Sequence, residues 1–370
     1  MIDQLASRRL VICCGTGGVG KTTISAAIAL RLAQGGARTV VVTIDPARRL
    51  ATALGMSGLS DEPRRVPADA QLGAGAGELW ALQLDAKATF DRLVGRYAAD
   101  DEARERILGN RIYRHLSGAV AGAQEYMAVE RLHELVDEGG FECIVLDTPP
   151  ATNALDFLDA PQRITRFIEG RALRMLLRPG AMAGGIGWKI LHAGSGTVLS
   201  LLERLTGAQM LRDVGDFLAA FDGMYQGFAD RASAVRDLLL SDRSGFVVVA
   251  AAEPDSLGQA VALSRRLAED GFPLAGVVLN RVHPVPPGEP PDPGALARAL
   301  AGAGAADPAG LAREAASALA DERVLGLRDL EAREELVKAI GGGGVVEVPA
   351  FTHEPVELPG IAEVAAALGR

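Results

Sequence analysis

Residues able to do chemistry concentrate in one run, Cys14-Gly15-Thr16-Gly17-Gly18-Val19-Gly20-Lys21-Thr22-Thr23. Gly15, Gly20, Lys21 and Thr22 fit the spacing G-x-x-x-x-G-K-[ST]. Glycine-rich backbone can turn its N–H groups inward around an anion, and a helix starting at the loop adds its positive end. Lys21 is placed to reach the outer phosphates of a nucleotide, and the Thr22 hydroxyl to take a Mg²⁺ ion. Lysine is scarce in this chain: Lys21, Lys87, Lys189 and Lys338 are the four among 38 Lys and Arg residues.

Other polar groups stand at the ends of apolar runs. Asp45 closes RTVVVTID (38–45), Asp147 follows FECIVL (141–146), and Asn280 follows LAGVVL (274–279). Phosphoryl transfer to water needs neutralised phosphate charge, a positioned metal and an oriented water. The loop and Lys21 supply the first. Thr22 with Asp147 suits the metal, and Asp45 the water. Plainer roles stay open for each: an Asp-Pro turn at Asp45, a helix cap at Asp147 within Asp-Thr-Pro-Pro, a strand-end turn at Asn280.

The elements that must position these groups follow from hydrophobic periodicity. Apolar, β-branched runs predict strands at 9–14, 38–45, 79–84, 141–146, 246–250, 274–279 and 345–348. Ala-rich sequence from Ile24 to Leu32, stopped by Gly35-Gly36, predicts the first helix. Residues 57–78 read as a turn-rich surface connection, and 87–138 and 160–240 as mainly helical. Strands alternating with helices imply an α/β fold with a mostly parallel seven- or eight-stranded sheet covered by helices on both faces, and the glycine motif after its first strand makes the expectation a P-loop NTPase. Such sheets gather ligand chemistry at the carboxyl ends of their strands, which brings Gly15, Asp45, Asp147 and Asn280 to one edge. The whole chain, 1–370, reads as one ATPase domain. A helical subdomain (87–138 and 160–240) is inserted in it, and 284–310 is a mobile Pro/Gly/Ala-rich loop with one short helix.

Composition narrows the function. The chain has 370 residues, 48% hydrophobic and 23% charged, with a net charge of −9. An acidic balance argues against nucleic-acid binding, which wants a basic field. Cys13, Cys14 and Cys143 fall in strands and read as small core hydrophobes, without metal-ligand spacing. The five histidines form no cluster in the sequence. There is no apolar signal segment and no membrane span, so a cytoplasmic protein is expected.

The motifs Gly15 to Thr22, Thr43-Ile44-Asp45-Pro46-Ala47 and Asp147-Thr148-Pro149-Pro150 together resemble the ArsA family. That family comprises arsenical pump-driving and tail-anchored-protein targeting ATPases, within the class of dimeric P-loop ATPases. The likeness extends over nearly the whole chain and is nearest to the actinobacterial-type "anion-transporting ATPase" branch. It implies ATP and Mg²⁺ as ligands, held by Gly15, Thr16, Gly17, Gly18, Val19, Gly20, Lys21, Thr22 and Thr23. It implies water activation by Asp45, γ-phosphate sensing from Asp147, adenine reading by Asn280, and an adenine border at Pro349 to Phe351. Asp255 falls where the family has an acidic nucleotide contact, usually Glu.

The departures matter as much. The family's first loop lysine is replaced by Thr16, and Asn153 stands near where many members have His. The zinc-clamp and arsenite-binding cysteines are missing. The resemblance further implies a homodimer, or a heterodimer with a paralogue that keeps the loop lysine, with Arg48 and Arg49 as substitutes for the missing charge. It implies a client such as a hydrophobic helix or membrane protein. The apolar content of 160–240 suits such a groove, and suits that region's own core, the commoner use of helical apolar stripes. An anion-export subunit, a small-molecule ligase or kinase, and a weakly hydrolysing nucleotide-dependent scaffold are the other readings.

Overall fold

The structure is a computed structural model that describes residues 1–98, 100–110, 123–148, 225–289, 291–341 and 344–369. The helical reading of 160–240 lies outside the described residues up to 224, as do Pro149, Pro150 and Asn153.

One eight-stranded sheet organises the described residues: β1 (Leu10–Gly15), β2 (Thr39–Thr43), β3 (Arg64–Arg65), β4 (Leu79–Gln83), β5 (Cys143–Asp147), β6 (Ser244–Ala251), β7 (Leu274–Val282) and β8 (Val345–Pro349). Their order is β3-β4-β2-β5-β1-β6-β7-β8. Every pairing is parallel except β3 with β4. The mostly parallel α/β sheet expected from the sequence is therefore present. β3 adds a short antiparallel edge inside the stretch read as a connection.

Helices α1 (Lys21–Gln34), α2 (Ala86–Tyr97), α3 (Ala123–Asp137), α4 (Tyr225–Leu240), α5 (Pro254–Glu269), α6 (Pro308–Ala339) and α7 (Glu357–Leu368) carry most of the packing. The strand period of two divides β1 between two cores. Leu10, Ile12 and Cys14 join Leu93, Met127, Leu132, Leu135 and Leu239 on one face. Val11 and Cys13 join Ile24, Ile28, Val364 and Leu368 on the other. Central strands buried on both faces explain the near-continuous apolar runs. Within 284–310 a helix occupies Pro293–Gly302, and α6 already begins at Pro308. Asp292 and Asp307 cap these two helices by accepting from the Ala295 and Gly310 N–H groups, each followed by proline at the first position.

β1 lies mid-sheet between β5 and β6. From it the chain crosses to β2 and β4, returns to β5, then proceeds outward through β6, β7 and β8. A crevice at the carboxyl end of β1 follows from that reversal, and the glycine loop leaves β1 there.

Candidate active site

The loop is shaped by close approaches that only glycine permits. A Cβ on Gly15 would stand 2.2 Å from the Val249 carbonyl oxygen of the neighbouring strand. Gly20 has φ +91°, and a Cβ there would stand 2.4 Å from Asn280 Nδ2. Gly20 is also the N-cap of α1, and no side chain caps that helix. The first-turn N–H groups of Lys21, Thr22 and Thr23 thus point at an anion site.

Lys21 is buried at 8% exposure, and its ammonium donates to the Thr16 carbonyl at 2.7 Å. Burial lowers its pKa, opposed by the charge of Asp147. Asp147, at the end of β5, is 1% exposed. Its Oδ2 accepts from the Thr22 hydroxyl at 2.8 Å and the Thr43 hydroxyl at 3.0 Å. Its Oδ1 is buried and accepts no hydrogen bond from the described residues. Burial pushes the Asp147 carboxyl up to about 6, against the hydroxyl donors and Lys21 that pull it down. A buried carboxylate with an orphan oxygen beside a threonine hydroxyl is a hard, anionic donor set, which fits Mg²⁺.

Asp45 follows β2 on the same edge. Its Oδ1 accepts from the Ala47 N–H at 2.9 Å, and its Oδ2 lies 3.6 Å from Arg49 Nη1. The turn role and a position facing the loop are both realised. Gly17, Gly18, Gly20, Lys21, Thr22, Thr23, Asp45, Arg48, Arg49 and Asp147 line one cleft of about 520 Å³.

A second cavity of about 490 Å³ adjoins it and shares Gly20 and Thr23. Asn280, Pro349 and Phe351 line this cavity together. Asn280 is buried and donates through Nδ2 to the Val19 carbonyl at 2.8 Å, so it braces the loop. Thr16 and Asp255 fall elsewhere. With Gly17, Gly18 and Val19 they line a smaller cavity of about 340 Å³, shared with Ser256 and Gln259. There the Thr16 hydroxyl lies 3.5 Å from the Ser256 hydroxyl. Asp255 sits in the first turn of α5, where a carboxylate also complements the helix dipole.

Sequence reasoning gave no role to Thr43, whose hydroxyl shares Asp147 with Thr22. Its signal is its place two residues before Asp45, on the strand that pairs with β5 in register with Asp147. It also missed Gln83, which donates to the Asp45 carbonyl at 3.2 Å from the end of β4.

The cysteines expected in strands are there. Cys13 and Cys14 point to opposite faces of β1, and Cys143 is buried in β5. No group of three or more metal-ligating side chains occurs among the described residues. None of their helices is long and apolar enough to cross a membrane.

Comparison with known proteins fits this site. The chain is 26% identical over 294 residues to the ATPase GET3 of Malassezia globosa, covering 78% of this chain and 76% of that protein. It is 26% identical over 275 residues to the ATPase get3 of Aspergillus terreus, covering 74% and 73%. The sequence model of the anion-transporting ATPases matches residues 8–292, which take in the loop, Asp45, Asp147, Asp255 and Asn280. This chain therefore belongs to the anion-transporting ATPase family, as an ATPase of that family.

Proposed function

We propose that this chain hydrolyses ATP to ADP and phosphate at the cleft between the glycine loop, Asp45 and Asp147, and that ATP-driven closure of a dimer governs binding of a client. The observation that carries the chemistry is the meeting of Lys21, Thr22, Asp45 and Asp147, from three strand ends, around one uncapped helix terminus. Lys21 leaves the Thr16 carbonyl for the β- and γ-phosphates, and the loop N–H groups cradle the same oxygens. Asp45, its Oδ1 anchored by the Ala47 N–H, presents Oδ2 to orient the attacking water. Thr22 and Asp147 would hold Mg²⁺, which when bound neutralises charge on the β/γ-phosphates.

The family resemblance and the apolar sequence of residues 160–240 support a dimer in the cytoplasm with a hydrophobic helix or membrane-protein client. The partner is a second copy or a paralogue carrying the loop lysine. Thr16 favours a second reading, a weakly hydrolysing nucleotide-dependent scaffold, because its neutral side chain faces Ser256 outside the cleft. Arg49, 3.6 Å from Asp45, is the cation already at hand. Burial of all three thiols disfavours an export subunit that captures a soft anion through cysteines.

The test is single-turnover phosphate release from bound Mg-ATP by the wild type and by Asp45→Asn. The variant keeps ATP and loses about 10²–10⁴-fold in rate, the span of positioned base catalysis. An unchanged rate would reduce Asp45 to a turn residue. The sedimented mass of Asp45→Asn with ATP and with ADP reads the dimer, and co-purification with the ATP-held variant reads the client.

A further inference from the structure

The second cavity holds a pair of residues that the phosphate chemistry does not use. His283 and Asp329 are 46 positions apart in the chain, and both line that cavity with Asn280 and Phe351. The Asp329 carboxylate is fully buried. Its Oδ2 accepts from the His283 backbone N–H at 2.9 Å and meets the His283 Nδ1 at 2.7 Å. Its Oδ1 accepts from Arg328 at 3.0 Å. Burial alone would raise this carboxyl, but the His283 and Arg328 donors outweigh it and hold the group below the usual carboxylate range. An ionised carboxylate only accepts, so Nδ1 carries the proton. In the neutral ring Nε2 is then an acceptor.

A backbone irregularity brings His283 to this cavity. Arg281 has φ +61°, rare for a side chain of its size, and the pairing of β7 with β8 skips a residue between Asn280 and Val282. The extra residue changes the alternation, so that positions 280 and 283 share a face where unbroken pleating would oppose them. The remaining walls include Ala251, Pro349 and Phe351, apolar surfaces of a size to sandwich a planar heterocycle. The shared Gly20 and Thr23 join the cavity directly to the phosphate cleft.

We propose that His283, fixed in one tautomer by Asp329, reads the exocyclic amino group of the nucleotide base and makes the site select a 6-amino purine over a 6-oxo purine. Asn280 supports the same selection. Its Nδ2 is engaged by the Val19 carbonyl, which leaves Oδ1 as a further acceptor. His283 Nε2 and Asn280 Oδ1 both accept, and where this pair meets the base edge an amino donor is favoured and a carbonyl disfavoured. Asp329 is the positioning residue and His283 the base contact. This inference rests on the nucleotide reading of the adjoining cleft.

The experiment is calorimetric binding of ADP, GDP and inorganic tripolyphosphate to the wild type, His283→Ala and Asp329→Asn. Wild type is expected to prefer ADP to GDP. His283→Ala shrinks that ratio about tenfold, the scale of one net hydrogen bond, with tripolyphosphate affinity unchanged. Asp329→Asn moves the ratio the same way. His283 is partly exposed, so its variant tests the idea even where loss of the buried Asp329 harms folding. An unchanged ADP/GDP ratio in His283→Ala overturns the inference. So does a wild type that binds tripolyphosphate but treats the two bases alike, with the phosphate reading intact. Failure to bind tripolyphosphate or either nucleotide would defeat the phosphate reading and this inference together.

Discussion

Lys21 and Asp147 are charged groups taken out of water before any ligand arrives, and each is stabilised by the other. Lys21→Ala removes the ammonium that donates to Thr16 and faces the phosphate site. A charge-assisted contact contributes about 1.5–3 kcal/mol, so ATP affinity should fall roughly 10- to 150-fold, as read by titration calorimetry. Unchanged affinity would remove Lys21 from the site. Asp147 makes a pH-dependent prediction. Its folded pKa is raised from the ordinary 3.8 to about 6 by burial. The stability that its protonated form contributes is present below the ordinary value and is lost as pH climbs through about 6. Asp147→Asn keeps an acceptor for both threonine hydroxyls without the charge. In chelator, the variant should match the wild type near pH 4 and exceed it by up to about 3 kcal/mol near pH 7. Thermal midpoints across that range measure the gap, and a constant gap would show that the carboxylate is well solvated.

At the scale of elements, β1 decides most of the site. Its alternation sends Cys13 towards α1 and Cys14 towards the opposite layer. Burial pushes the Cys14 and Cys143 thiols up to about 12, and Cys13 further. Native protein at pH 8 should therefore resist iodoacetamide at all three positions and react fully in denaturant, counted by mass spectrometry. Rapid native labelling would mean that the central strands open readily. This strand, the glycine spacing and the strand-end carboxylates were legible in the sequence, because local period and turn chemistry specify them. β3 was not. It is two arginines long, exposed, and carries no apolar alternation. The His283–Asp329 pair was equally invisible, since nothing local links a strand end to the middle of a long helix. The bulge at Arg281 gave no cue either, because arginine is not a residue that signals positive φ.

At the scale of the molecule, segments distant in sequence are tied together on the sheet face that carries α2, α3 and α4. Arg231 of α4 pairs through Nε with both carboxylate oxygens of Glu130 in α3, at 2.9 and 3.3 Å. Its guanidinium lies 3.9 Å from the centre of the Tyr97 ring in α2. Nearby, Asp61 binds Arg92 and also accepts from the Asp85 N–H, and Glu134 binds both Arg92 and Arg131. Glu130 is 1% exposed and Arg231 9%, so neither charge is well hydrated. Removing one member breaks a buried charge pair, a cost of about 3–5 kcal/mol. Replacing both by apolar residues removes that cost. Glu130→Leu and Arg231→Met should each destabilise strongly, while the double variant should lose far less than their sum. The resulting coupling energy of several kcal/mol, from a double-mutant cycle on unfolding midpoints, is the expected outcome. A coupling below about 0.5 kcal/mol would place the pair among weak surface contacts. The closure of α2, α3 and α4 would then rest chiefly on their shared apolar core, which includes Leu93, Met127, Leu132, Leu135 and Leu239.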